Sequence, residues 1–130
     1  MSNALDPERA VSILSAVQDE NLFNILKSQV VKDFSRAGVN EMEFLVSASE
    51  NPSELFTRIE EGMYVLIKEH FDQYLNLMYA VDVPEQIFKQ VQAEDAVDAA
   101  RQSAVILIVR EWQKVCLRMG LDARLPNRKE

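Results

Sequence analysis

An all-α fold, a single-domain antiparallel helical bundle of about five or six helices around a central apolar C-terminal helix, is what this sequence predicts. Three observations carry that expectation. Apolar residues recur every three or four positions over most of the chain. Helix-start signals precede those stripes. Finally, 130 residues contain only 3 Gly and 4 Pro, too few breakers for an all-β chain that turns about every 8–12 residues. One domain, 1–130, is expected, with 1–5 and 121–130 as irregular tails.

Asp6-Pro7-Glu8 opens the first helix: a capping aspartate, a proline suited to the first turn, and an acid at the positive end of the dipole. Ala10, Val11, Ile13, Leu14 and Val17 mark its apolar side. The polar "QDEN" at 18–21 then predicts a break, with Asp19 capping the next helix. Leu22, Phe23, Leu26, Val30 and Phe34 form a helical stripe that Gly38 stops. Asn40 and Glu43 have capping-box spacing, which predicts a short helix with Met42, Leu45 and Val46 inward.

Asn51-Pro52-Ser53-Glu54 combines a cap, a first-turn proline and a capping-box glutamate. The stripe Leu55, Ile59, Met63, Leu66, His70, Tyr74, Leu77, Val81 then predicts one long helix of about seven turns. Gly62 lies within it, where a missing side chain would admit a neighbouring helix closely. Pro84 places a corner at Val83. Ile87, Phe88 and Val91 suggest a further helix, with a break near Ala93 to Asp95 and a new start at "AEDA". Gly120 ends the last helix, and Pro126 marks an irregular tail.

"SAVILIVREW", residues 103–112, is the one segment that resembles a strand, with six apolar residues from Ala104 to Val109, four of them β-branched. No turn residue separates it from helix-forming flanks, and no second segment offers it a partner. An unpaired strand would leave buried N–H and C=O groups unsatisfied at about 1–3 kcal/mol each, against a few tenths of a kcal/mol per β-branched residue in a helix. A helix is therefore expected, apolar on all sides. Either it is the centre of the bundle or one side meets another chain. It is expected to pack antiparallel to the helix that starts at Pro52.

The net charge of −7, from 14 Lys+Arg and 21 Asp+Glu, argues against nucleic acid as a partner. The one basic cluster, Arg124, Arg128 and Lys129, reads as a solvated tail. "MSNALDPERA" has no signal-peptide pattern, and no apolar run approaches a membrane span, so a cytoplasmic protein with no membrane partner is expected. The first four residues carry no weight, because "SNA" resembles a remnant of tag cleavage. A lone cysteine, Cys116, rules out an internal disulfide and a multi-cysteine zinc site.

No catalytic, cofactor-binding or metal-binding constellation emerges. His70, the only histidine, lies on the apolar stripe beside Glu69 and near Asp72; it reads as a buried or boundary residue satisfied by one hydrogen bond rather than a general base or metal ligand, and zinc would need three or four ligands where one His and one Cys exist. A helical di-iron site needs Glu-x-x-His, and Ile67 stands where that glutamate belongs. The carboxylates at 94–98 fit dipole compensation. Arg101 and Arg110 flank the apolar run and suit ion pairs with the long helix, or an anion clamp. Trp112 and Tyr79 are residues that interfaces favour. The expected function is a non-enzymatic interaction module that self-associates, as a homodimer for example, or binds a partner protein. The alternative is a ligand-binding or enzymatic bundle with a pocket near His70, using Tyr74, Arg101 and Arg110.

Overall fold

A computed structural model of the chain describes residues 7–88 and 95–121. The described residues form α1 (Pro7–Ala16), α2 (Glu20–Ala37), α3 (Asn40–Ser47), α4 (Pro52–Glu69), α5 (Phe71–Val81), α6 (Glu85–Phe88) and α7 (Ala96–Met119), with no strand among them. The expected cap at Asp6, the apolar Val91, the break residues Ala93 and Glu94, and the tails at 1–5 and from 122 onward lie outside the described residues.

Local chemistry sets most helix ends. Asp19 caps α2 by accepting from the N–H groups of Asn21 and Leu22. Asn51 caps α4 by accepting from Glu54 N–H, and the Glu54 carboxylate accepts in turn from Glu50 N–H at 2.8 Å. Asp95 caps α7 through Asp98 N–H. At Gly38 the chain turns left-handed (φ 77°). The Val39 N–H donates to Phe34 O and the Gly38 N–H to Ser35 O, the two bonds of a Schellman stop. Gly120 ends α7 in the same way, through Leu121 and Cys116.

Three expectations are corrected. Asn40 and Glu43 do not cap α3. The stop at Gly38 delivers the buried Val39 directly into the N-cap position, without a side-chain cap, so Asn40 is already helical and exposed. Leu45 does not face inward with Met42 and Val46; it is 49% exposed. The long helix from Pro52 is two helices. At His70 the backbone leaves the helical region (φ −145°, ψ 63°), and this single residue ends α4 and begins α5. Its N–H donates to Leu66 O, while its carbonyl accepts from the N–H groups of Gln73 and Tyr74, so the corner loses few backbone bonds. A straight helix from Pro52 to Val81 would be about 45 Å long, whereas α2 spans about 27 Å. Its far end would overrun the bundle. Turning at His70 brings Tyr74, Leu77, Met78 and Val81 back into the core.

The strand-like segment is helical and central. Every residue from Ser103 to Val109 is buried, as are Glu111, Trp112, Val115 and Cys116. The whole circumference of Ala104–Val109 is thus covered within one chain, by α1, α2, α4 and α5, with α4 as the principal neighbour. Against α7, α2 runs antiparallel: Lys114 reaches Asp33 and Arg118 reaches Gln29, one turn on in opposite directions. The contacts Tyr74–Ser103 and Asp82–Arg110 show that α5 runs in the same direction as α7.

Candidate functional site

The face of α4 beside its core stripe carries Arg58, Glu61, Gly62 and Val65, spaced as neighbours on one side of a helix. Opposite lies α3, anchored to α2 by the stop at Gly38 and by the buried Met42 and Val46. Between them runs a groove of about 370 Å³ that ends at the α4–α5 corner, where His70 and Gln73 close it. Its floor is Met42 packed over Gly62: a Cβ at position 62 would stand 2.5–2.8 Å from the outer atoms of the methionine. Missing side chain and flexible thioether together let α3 approach here.

The groove is open to solvent, and its walls are partly apolar. Leu45 from α3 and Val65 from α4 are about half exposed and face it. Glu41, Glu61 and Arg58 supply its charged rim. Arg58 already donates to the Leu45 carbonyl at 3.0 Å and lies 3.8 Å from Glu54, which leaves the two rim glutamates as the less compensated charges.

The singled-out residues do not gather at one place. His70 lies at the groove and is exposed, unlike the buried or boundary histidine expected. Its position on the apolar stripe is real, but the corner turns it out of the core. Tyr74 is buried and shares a hydrogen bond with Ser103 Oγ at 2.8 Å; burial raises its phenol above the ordinary value, and the hydrogen bond with Ser103 partly opposes this. Arg101 pairs with Glu60 at 3.2 Å, the expected ion pair between the last helix and α4. Arg110 holds the Asp82 carboxylate at 2.9 Å and its carbonyl at 3.0 Å, which ties down the left-handed end of α5. Trp112 is fully inside the core. Tyr79 is exposed and packs edge-on to Phe88.

A second polar cluster escaped sequence reasoning. Asp33 of α2 and Glu111 of α7 are both completely buried. The Lys114 ammonium lies 2.6 Å from Asp33 Oδ2, Gln29 donates to the same oxygen at 3.3 Å, and Arg36 donates to Oδ1 at 3.3 Å. Burial pushes the Asp33 carboxyl up, but the neighbouring Glu111 carboxyl and the hydrogen bonds from Lys114 and Gln29 outweigh it and hold it below the ordinary value. Glu111 goes the other way. Burial drives it well above the carboxylate range, the contact with Asp33 adds to that, and Lys114 and Arg110 only partly oppose it.

Among the described residues no group of three or more His, Cys, Asp and Glu side chains is arranged to hold a metal ion, and no helix is long and apolar enough to cross a membrane. Cys116 is a buried free thiol. The described residues form an all-α bundle with an open groove between α3 and α4 and a buried carboxyl pair. Compared with family models, curated proteins and solved structures, the chain matches none of them.

Proposed function

We propose that this chain is a non-enzymatic, cytoplasmic interaction module whose groove between α3 and α4 receives an apolar segment of a partner protein flanked by basic residues. The observation that carries the reading is an open groove of about 370 Å³ with Leu45 and Val65 half exposed along its walls. An extended apolar trough suits side chains at helical spacing from a partner segment. Glu41 and Glu61 on the rim, and a net charge of −7 over the chain, favour basic flanks on the occupant. The hydrophobic run of α7, the sequence feature that suits a homodimer, is covered within one chain, so a second copy has less in its favour than a different protein.

The test is capture of partners from the native cell with the wild-type chain, with a Leu45→Glu/Val65→Glu variant, and with Val11→Glu, an exposed apolar site outside the groove. A protein retained by wild type and Val11→Glu and lost with the groove variant supports the reading. Retention by all three, or loss from both variants, overturns it. Concentration-dependent sedimentation abolished by the groove variant would assign the groove to a second copy instead.

A small molecule in the same groove is the second reading. It is favoured by the volume, near the lower end of the roughly 300–1,000 Å³ of ligand sites, and by the presence of His70 and Arg58 together in the lining. Chemical-shift changes at His70 and Gln73 on screening small anionic and aromatic compounds would separate it from the first.

A further inference from the structure

The Asp33–Glu111 pair lies away from the groove and plays no part in the reading above. Neither carboxyl oxygen of Glu111 receives a hydrogen bond from an N–H or O–H donor, although the side chain is completely buried. Lys114, one turn further along α7, bonds Asp33 Oδ2 at 2.6 Å and so brings the equally buried Asp33 carboxyl of α2 beside Glu111. Two ionised carboxylates side by side in a buried position repel each other. A single proton between them turns that repulsion into an O–H···O hydrogen bond, with Glu111 as donor and Asp33 as acceptor.

The nearby cations cannot replace that proton. Lys114 is committed to Asp33, as is Arg36 from the solvent side. Arg110 acts on Glu111 through space, but its guanidinium is bound to Asp82 at the end of α5. Arg118 reaches past the cluster to the side-chain amide oxygen of Gln29, Oε1, at 3.0 Å. The charged groups acting on Glu111 are thus Asp33 from α2 and Lys114 and Arg110 along α7.

We propose that Asp33 and Glu111 hold one shared proton between α2 and α7, and that this proton is a latch: the seam between the two helices is closed while the proton is present and weakened when it leaves. Asp33 is ionised and anchored to Lys114. Glu111 is the carboxylic acid. Loss of its proton leaves an ionised group without a donor, facing another anion.

The direction of the pH effect follows by linkage. Glu111 is raised in the folded state, so above the usual glutamate range the folded chain holds a proton that the unfolded chain has released. Stability falls as pH rises through that window, until the folded group itself titrates. Asp33 is lowered, so its contribution is present above the ordinary aspartate range and is lost as pH falls through its folded value. The two together place the optimum in mildly acidic solution.

The test combines infrared spectroscopy with denaturant unfolding across pH. Wild-type protein at neutral pH is expected to show a protonated carboxyl band that is absent from Glu111→Gln. Its unfolding equilibrium constant should rise towards tenfold per pH unit above about pH 5, and Glu111→Gln, which keeps a donor for Asp33 but cannot ionise, should flatten that rise. A wild-type spectrum without a carboxylic acid band at neutral pH overturns the proposal, whether or not any variant folds. So does a Glu111→Gln variant with an unchanged pH slope. Asp33→Asn is a second variant, and in it the carboxyl band should titrate at lower pH than in wild type.

Discussion

Met42 of α3 rests directly on Gly62 of α4, with its Cγ, Sδ and Cε 2.5–2.8 Å from where a Cβ at position 62 would stand. This contact sets the separation of the two helices and hence the floor of the groove. A valine at position 62 must displace the methionine, and overpacking of this kind costs about 1–3 kcal/mol. Met42→Ala should recover part of that cost, so a double-mutant cycle read by urea denaturation is expected to be non-additive. Additive effects would mean that the two residues do not set the spacing.

Tyr74 and Ser103 share one buried hydrogen bond at 2.8 Å, between the start of α5 and the start of the apolar run in α7. Tyr74→Phe removes it and leaves the serine hydroxyl in the core, for a loss of about 1–2 kcal/mol. The double variant Tyr74→Phe/Ser103→Ala should be at least as stable as Tyr74→Phe alone, because no buried polar group is then left over. Thermal unfolding of the wild type and the two variants checks the order.

Asp82 is the one non-glycine residue with positive φ among those described, at 69°. Its backbone makes the same pair of stop bonds as Gly38, from Asp82 N–H to Tyr79 O and from Val83 N–H to Met78 O. Alanine there keeps the left-handed strain, about 1–2 kcal/mol, and loses the carboxylate that Arg110 binds. Glycine loses the same ion pair without the strain. Asp82→Gly is therefore expected to be more stable than Asp82→Ala by about 1 kcal/mol, a difference that melting temperatures would resolve.

The covered circumference of α7 separates core from interface. Ile106 and Ile108 are both buried in the lone chain. Ile108→Ala should cost about 2–5 kcal/mol, and Ile106→Glu should yield an unfolded chain by circular dichroism. If Ile106→Glu gave instead a folded protein of lower mass in sedimentation, that residue would belong to a contact between copies.

Where a structural decision was made by adjacent residues, the sequence already displays it. Asn51 to Glu54 reads as a helix start because every group involved lies within four positions, and the same holds for Asp19, Asp95 and the glycines at 38 and 120. The corner at His70 is hidden because α4 and α5 keep one apolar phase across it, with no glycine or proline to mark the turn. The failed capping box at Asn40 is hidden for the opposite reason: the preceding stop fixes the entry into α3, and spacing alone does not reveal it. The groove is built from the second faces of α3 and α4, where Gly62 and the exposed Val65 were the available hints. The Asp33–Glu111 pair has no local signature, because its members lie on helices that meet only when the bundle closes.

The position of α7 also has a kinetic consequence. Its apolar run is the common filling against which α1, α2, α4 and α5 pack, yet in the order of synthesis it follows all of them. Until it emerges from the ribosome, the earlier helices can pack only on one another, α2 on α3 and α5 and α4 on α3 and α5, and the faces they turn towards α7 stand unsheltered. The nascent chain therefore passes through a stage at which chaperones have a ready target, and cooperative collapse waits for the last helix.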